Sequence, residues 1–144
     1  MAQVAFTLEQ DWHIEPSRLW AALSDWAGHG EWIPATTVRI LDGDGGLGTR
    51  FVARTGLGPI AFDDNMTVIE FDATTTHAVV KKTGPLLTGS AGFRIEPRAH
   101  GSHLIWFETI RVPLLPRFLT PLVAAIGKQL FLLSLKQLRK QLGR

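Results

Sequence analysis

Apolar and polar residues alternate near the start of the chain: Val4, Phe6, Leu8, Trp12 and Ile14 fall on one side, Thr7, Glu9, Asp11 and His13 on the other. A period of two predicts a half-buried strand. Pro16 and Ser17 then introduce Leu19, Trp20 and Leu23 at helical spacing, which predicts a short helix with proline in its first turn. The stretch AGHGEWIP breaks that helix and reads as a second helical turn closed by Pro34. Six further segments follow: TTVRILD, GTRFVART, PIAFDDNMTVIEF, THAVVKK, GSAGFRIEP and HLIWFETIRV. Each is rich in β-branched and aromatic residues, with Gly, Pro, Asp or Asn at the joints, the pattern of consecutive hairpins. From about Pro116 to Leu142 the period changes. Leu115, Leu119, Leu122, Ile126, Leu130 and Leu133 step by three or four, and Phe131, Leu135, Leu138 and Leu142 form an overlapping row. The result is one long helix whose apolar face is wider than a single contact needs.

The stretch GDGGLG matches a dinucleotide-binding fingerprint through Gly43, Gly45 and Gly48. That fingerprint works only where a helix opens directly after it and receives a pyrophosphate at its N-terminus. Here the strand-like TRFVART follows, so the glycines are expected to make a hairpin loop with positive φ. A calcium loop beginning at Asp42 fails as well, because Leu47 stands where the sharp-turn glycine belongs and Ala53 where the bidentate glutamate belongs.

Five tryptophans and eight phenylalanines in 144 residues supply a core for one domain spanning 1–144, with no linker or repeat to divide it. The absence of cysteine excludes disulfides and thiolate chemistry. The first residues lack the basic start and apolar run of a secretory signal, and Pro121 with Lys128-Gln129 interrupts the most apolar region. A cytoplasmic location is therefore expected. The net charge of +2 conceals an asymmetry: all 13 acidic residues lie before residue 111, and seven of the 15 Lys and Arg lie from 111 onward. Such a basic helix suits either its own dipole, through Lys136, Arg139, Lys140 and Arg144, or an anionic surface. Aromatic residues do not interleave with the cations on one face, so nucleic-acid binding is not expected.

The order of elements, together with HIEPSRLWAALSDWAGHGEWIP, FDDNMTVIEFD, KTGPLLTGSAGFRIEP and HLIWFE, resembles the SRPBCC superfamily of START domains, birch pollen allergens and polyketide cyclases. The resemblance rests on Ile14 at a strand end, Pro16 at the helix start, the Leu19-Trp20 pair, Asp25 at the helix end, and Trp32 followed by Pro34. It implies an α+β helix-grip fold: a seven-stranded antiparallel sheet wrapped around the long C-terminal helix, with two short helices after strand 1 and a cavity between sheet and helix. Gly89 and Gly92 are expected to leave room in that cavity.

The residues expected to line the cavity are Trp32, Phe51, Phe62, Met66, Phe93, Trp106, Leu122, Ile126 and Leu130, with Glu108 and Asp64 orienting a polar group. Glu108 shares its parity with Leu104, Trp106 and Ile110, so an inward face makes it a carboxylate in apolar surroundings with a raised pKa, unless it pairs with an arginine or meets water at the mouth. Strand alternation turns Asp64 inward and Asp63 outward, with Arg50 and Arg54 as structural partners across the hairpin. His29 is expected in solvent or at the ligand. His100 and His103 are expected in a turn without nearby acids, and no metal site is expected. No serine has a nucleophile-elbow context.

Three functions follow as expectations. The first is a carrier of a small hydrophobic ligand (lipid, isoprenoid or aromatic polyketide) that needs no cofactor and is monomeric or weakly dimeric. The second is a polyketide cyclase or dehydratase in which Glu108, Asp64 and Arg54 act as catalytic groups. The third is contact with an anionic membrane surface, or with a partner, through the basic helix.

Overall fold

The computed structural model describes residues 2–143. Seven strands form one antiparallel sheet: β1 (Ala2–Trp12), β2 (Thr36–Asp42), β3 (Arg50–Thr55), β4 (Phe62–Asp72), β5 (His77–Gly84), β6 (Thr88–Arg98) and β7 (Gly101–Val112). Their order is β1-β7-β6-β5-β4-β3-β2, so β2 to β7 are consecutive hairpins and β1 closes onto the last of them. The helix α1 (Pro16–Leu23) and a 3-10 turn (Ala27–Glu31) follow β1, a further 3-10 turn (Gly58–Ile60) joins β3 to β4, and α2 (Thr120–Gln141) follows a third at Arg117–Leu119. This is the helix-grip arrangement.

Alternation decides which side chains face inward. Val4, Leu8 and Trp12 on β1, Phe93 and Ile95 on β6, and Leu104 and Trp106 on β7 are all buried on the concave face. In β4 the register shifts between Val68 and Glu70, and this bulge lets Phe71 follow Val68 onto the inner side, where its ring lies 5.1 Å from Trp20. Leu19 and Leu23 of α1 are fully buried.

The glycine-rich stretch is the β2–β3 loop, and Gly43, Gly45 and Gly48 all have positive φ, which glycine adopts without steric cost. The loop is tied to the core, since the carbonyl of Gly45 accepts a 2.7 Å hydrogen bond from Trp26 Nε1. Gly92 departs from expectation. A Cβ there would stand 2.5 Å from Phe107 Cζ, on the face of the sheet away from the cavity, so the missing side chain makes room for an outer aromatic ring. A Cβ on Gly89 would collide with the carbonyl oxygen of Thr109, so that position serves strand approach.

On α2, Leu135 and Leu138 are buried against the sheet, while Leu122, Ile126, Leu130 and Leu133 are exposed. The helix faces the core with its second apolar row. The helical stretch Arg117–Gln141 runs uninterrupted through Pro121 and Lys128 and is, by length and composition alone, apolar enough to cross a membrane. Part of the basic segment is docked. The Arg139 guanidinium lies 4.1 Å from the ring centroid of buried Trp12 and donates to Gln10 Oε1.

Candidate functional site

A cavity of about 190 Å³ lies between the concave face of the sheet, the Trp26–Ile33 segment and α2. Each side chain reaches it by strand parity. Phe51 and Ala53 come from β3, Asp64 and Met66 from β4, Ala78, Val80 and Lys82 from β5, Phe93 from β6, and Trp106 and Glu108 from β7. Phe131 of α2 closes one side, its ring 4.3 Å from that of Trp106. Trp26 stacks on Phe51 at 5.3 Å, and Phe93 meets Trp106 edge-on at 5.6 Å, so the inner end is an aromatic box.

Polar groups gather toward the other end. Lys82 Nζ donates to Asp64 Oδ2 at 2.6 Å, both side chains being almost fully buried. The second oxygen, Asp64 Oδ1, and the indole Nε1 of Trp106 are buried without a hydrogen-bond partner. Glu108 has its pKa raised, chiefly by burial and further by the Asp64 carboxylate, while the Lys82 ammonium and the Trp106 indole N–H, close by but outside hydrogen-bond geometry, pull the other way. Unused donors and acceptors inside an apolar cavity are costly unless something pairs with them.

His29 also borders the cavity, buried between Trp26 and Trp32 with ring centroids 5.4 and 4.9 Å away. Its Nε2 lies 2.7 Å from the carbonyl oxygen of Leu23, so that nitrogen carries the proton and donates it, leaving Nδ1 as the basic one. Burial holds its pKa down to about 4, against weaker opposing effects of the Leu23 carbonyl and Asp25. At neutral pH it is an uncharged imidazole at the cavity wall and not in solvent, the second of the two positions expected for it.

Of the residues read from the sequence, Phe51, Asp64, Met66, Phe93, Trp106 and Glu108 border this cavity. Trp32 is buried behind His29, and Phe62 lies outside the lining at the start of β4. Leu122, Ile126 and Leu130 are corrected: they are exposed on the outer face of α2. Arg54 is corrected too, since it lies on the outside of β3 and pairs with Asp63 at 3.0 Å, away from Glu108 and Asp64. Arg50 pairs with Asp42. His103 is in β7 rather than a turn, hydrogen-bonded at 2.7 Å to both Glu9 and Asp11, which raise its pKa. Lys82 was missed as a cavity residue, although the alternation of Ala78, Val80 and Lys82 carries the signal.

Residues 3–143 match the model of the family described as polyketide cyclase/dehydrase and lipid transport. The chain belongs to that family. This family member has the fold of the SRPBCC superfamily, whose members bind hydrophobic ligands and include polyketide cyclases. Its fold is similar to the Zhui aromatase/cyclase from Streptomyces sp. R1128, with a TM-score of 0.78 at 12% identity over 96% of this chain and 93% of that one. Norcoclaurine synthase from Thalictrum flavum, in complex with dopamine and hydroxybenzaldehyde, gives 0.72 at 14% identity over 98% and 87%. The protein TTHA0849 from Thermus thermophilus gives 0.78 at 14% identity over 96% and 94%. No curated protein matches the sequence.

Proposed function

We infer that this family member binds a small aromatic ligand of one or two rings bearing a hydroxyl or carbonyl group. The observation that carries the reading is the pairing of an aromatic box with unpartnered buried groups, Asp64 Oδ1 and Trp106 Nε1, in one cavity. An apolar body seats among Phe51, Phe93, Trp106 and Phe131. A hydroxyl donates to Asp64 Oδ1, or an oxygen accepts from Trp106 Nε1. Size supports the same class: a cavity of about 190 Å³ is close to the roughly 150 Å³ that admits one benzene ring, and leaves no room for a long acyl chain.

A second reading, a cyclase or dehydratase, is favoured by the raised pKa of Glu108 beside an ammonium. The carboxylate of a group so tuned is a stronger base and accepts a proton from an activated carbon, and the Lys82 ammonium steadies the enolate that forms.

Titration of tryptophan fluorescence with naphthalene, 1-naphthol and palmitate tests the first reading. We expect 1-naphthol to bind roughly tenfold tighter than naphthalene, the worth of one buried hydrogen bond, and Asp64→Leu to erase the difference. Tighter binding of palmitate, or no binding of either ring compound, refutes it. With a short poly-β-keto substrate, loss of turnover in Glu108→Gln with binding retained selects the enzyme, whereas no turnover by the native protein selects the carrier.

A further inference from the structure

The outer face of α2 poses a question that the cavity does not answer. Phe118, Leu122, Ile126, Leu130 and Leu133 succeed one another at steps of three or four through the 3-10 turn and α2, with Leu114 in the turn before them, and all are half or more exposed, Phe118 at 80% and Leu114 at 99%. Only 17% of the most apolar part of this helical stretch is buried. A soluble monomer seldom leaves so continuous an apolar stripe in water. The same steps carry the row from Leu133 to Lys136 and Lys140, both exposed, and no acidic residue occurs from 111 to 144.

The stripe begins at a particular end of the sheet. The pairs Thr55↔Phe62, Thr83↔Thr88 and Ala2↔Val112 place the β3–β4 loop, the β5–β6 loop and the approach to α2 at one end. Those two loops expose Leu57, Ile60 and Leu86. Thr36, Thr55 and Lys82 of the cavity lie toward the same end.

We propose that the outward face of α2 rests on an anionic lipid surface, with Leu114, Phe118, Leu122, Ile126 and Leu130 in the acyl boundary and Lys136 and Lys140 against acidic headgroups. Charge selects this occupant over a second copy of the chain. An isologous pairing of two such stripes sets the cations against each other when parallel, or against the apolar end of the other copy when antiparallel, and in neither case does a carboxylate on the segment meet them. The inner face decides the mode of contact. Leu135 and Leu138 are buried in the core and Phe131 closes the cavity, so the helix lies on the bilayer and does not cross it. Contact there brings the polar end of the cavity near the membrane, whatever the cavity holds.

Co-sedimentation with phosphatidylcholine vesicles, with and without about 30 mol % phosphatidylglycerol, tests the proposal. We expect binding to the anionic vesicles, weakened by added salt, and a fall of at least tenfold in partitioning for Phe118→Ser/Ile126→Ser. Lys136→Glu/Lys140→Glu should also weaken binding. All four positions are exposed, and circular dichroism of the variants verifies that the fold is kept. Equal binding to both vesicle types, or none to either, overturns the proposal. So does a dimer seen by light scattering that Phe118→Ser/Ile126→Ser dissociates, which would give the stripe to a second copy. Ring-compound binding to the same variants is read separately, so loss of the membrane contact leaves the cavity reading standing.

Discussion

Acidification should destabilise this protein through one imidazole. His29 is enclosed by Trp26 and Trp32, and its Nε2 is committed to the Leu23 carbonyl, so a proton can be added only at Nδ1, in aromatic surroundings. Its pKa therefore falls from 6.5 to about 4 on folding. A depressed histidine means that the unfolded chain binds the proton first, so stability is intact above pH 6.5 and is lost as pH falls toward 4. At about 1.4 kcal/mol per unit, the loss approaches roughly 2.5 kcal/mol by about pH 4.5. Urea denaturation of the native protein and His29→Gln, at about pH 7 and about pH 4.5, isolates this contribution, because the gap between the two proteins should change by that amount. Other groups do not mimic it. His103 has a raised pKa, so its stabilisation is full at low pH and is lost only as pH rises through its folded value. Asp11, Asp42 and Asp72 have lowered values and destabilise only as pH falls below their ordinary 3.8. Glu108 titrates in both proteins and cancels. The reasoning is refuted if the gap changes by less than about 0.5 kcal/mol, or if the ring proton of His29 titrates by NMR at the ordinary histidine value.

Three further outcomes follow from the same structure. Lys82→Met leaves Asp64 as a buried carboxylate with neither oxygen paired, which should cost about 3–5 kcal/mol, with most of it regained in Lys82→Met/Asp64→Asn; a loss below about 1 kcal/mol in urea would show that water already reaches the pair. Gly92→Ala places a methyl 2.5 Å from Phe107 Cζ and 2.7 Å from the carbonyl oxygen of Ala78, so a loss of about 1–3 kcal/mol is expected, and an unchanged melting temperature contradicts it. Because burial raises the pKa of Glu108 above 4.5, folding favours its protonated form, and the ionised side chain costs stability as pH rises through and beyond that value. Glu108→Gln should accordingly stabilise the protein at neutral pH and lose that advantage in acid; equal effects at both pH values sink the assignment.

The sheet was legible because its signal has no rival. A strand with one wet face must alternate, and a slip by one residue would turn every core side chain outward. Hence Val4, Leu8 and Trp12, or Leu104, Trp106 and Glu108, could be assigned to a face from spacing alone. Alternation also places Lys82 inside with Ala78 and Val80, and only its charge argues against that; the charge is tolerated because Asp64, inward on the neighbouring strand, lies 2.6 Å away. His29 was less accessible to such reasoning. It sits in a 3-10 turn with no period of its own, and its burial follows from tertiary packing of Trp26 and Trp32 around it.

The long helix shows where periodicity stops deciding. α2 carries two apolar rows at the same spacing, one through Leu122, Ile126 and Leu130, the other through Phe131, Leu135 and Leu138, and hydrophobic spacing alone does not rank them. What separates them is how each row continues. The first runs on into Lys136 and Lys140, whose ammonium groups would have to enter the core without partners if that row faced inward. The second runs back through Gly127 and Ala124, whose small size lets the helix approach β1, where a Cβ at position 127 would stand 3.6 Å from the Phe6 ring. Charge at one end and small residues at the other therefore turn the second row inward. They leave the first as an exposed apolar surface with cations at its end, so the misassigned lining residues Leu122, Ile126 and Leu130 are the middle of the stripe proposed to meet a membrane.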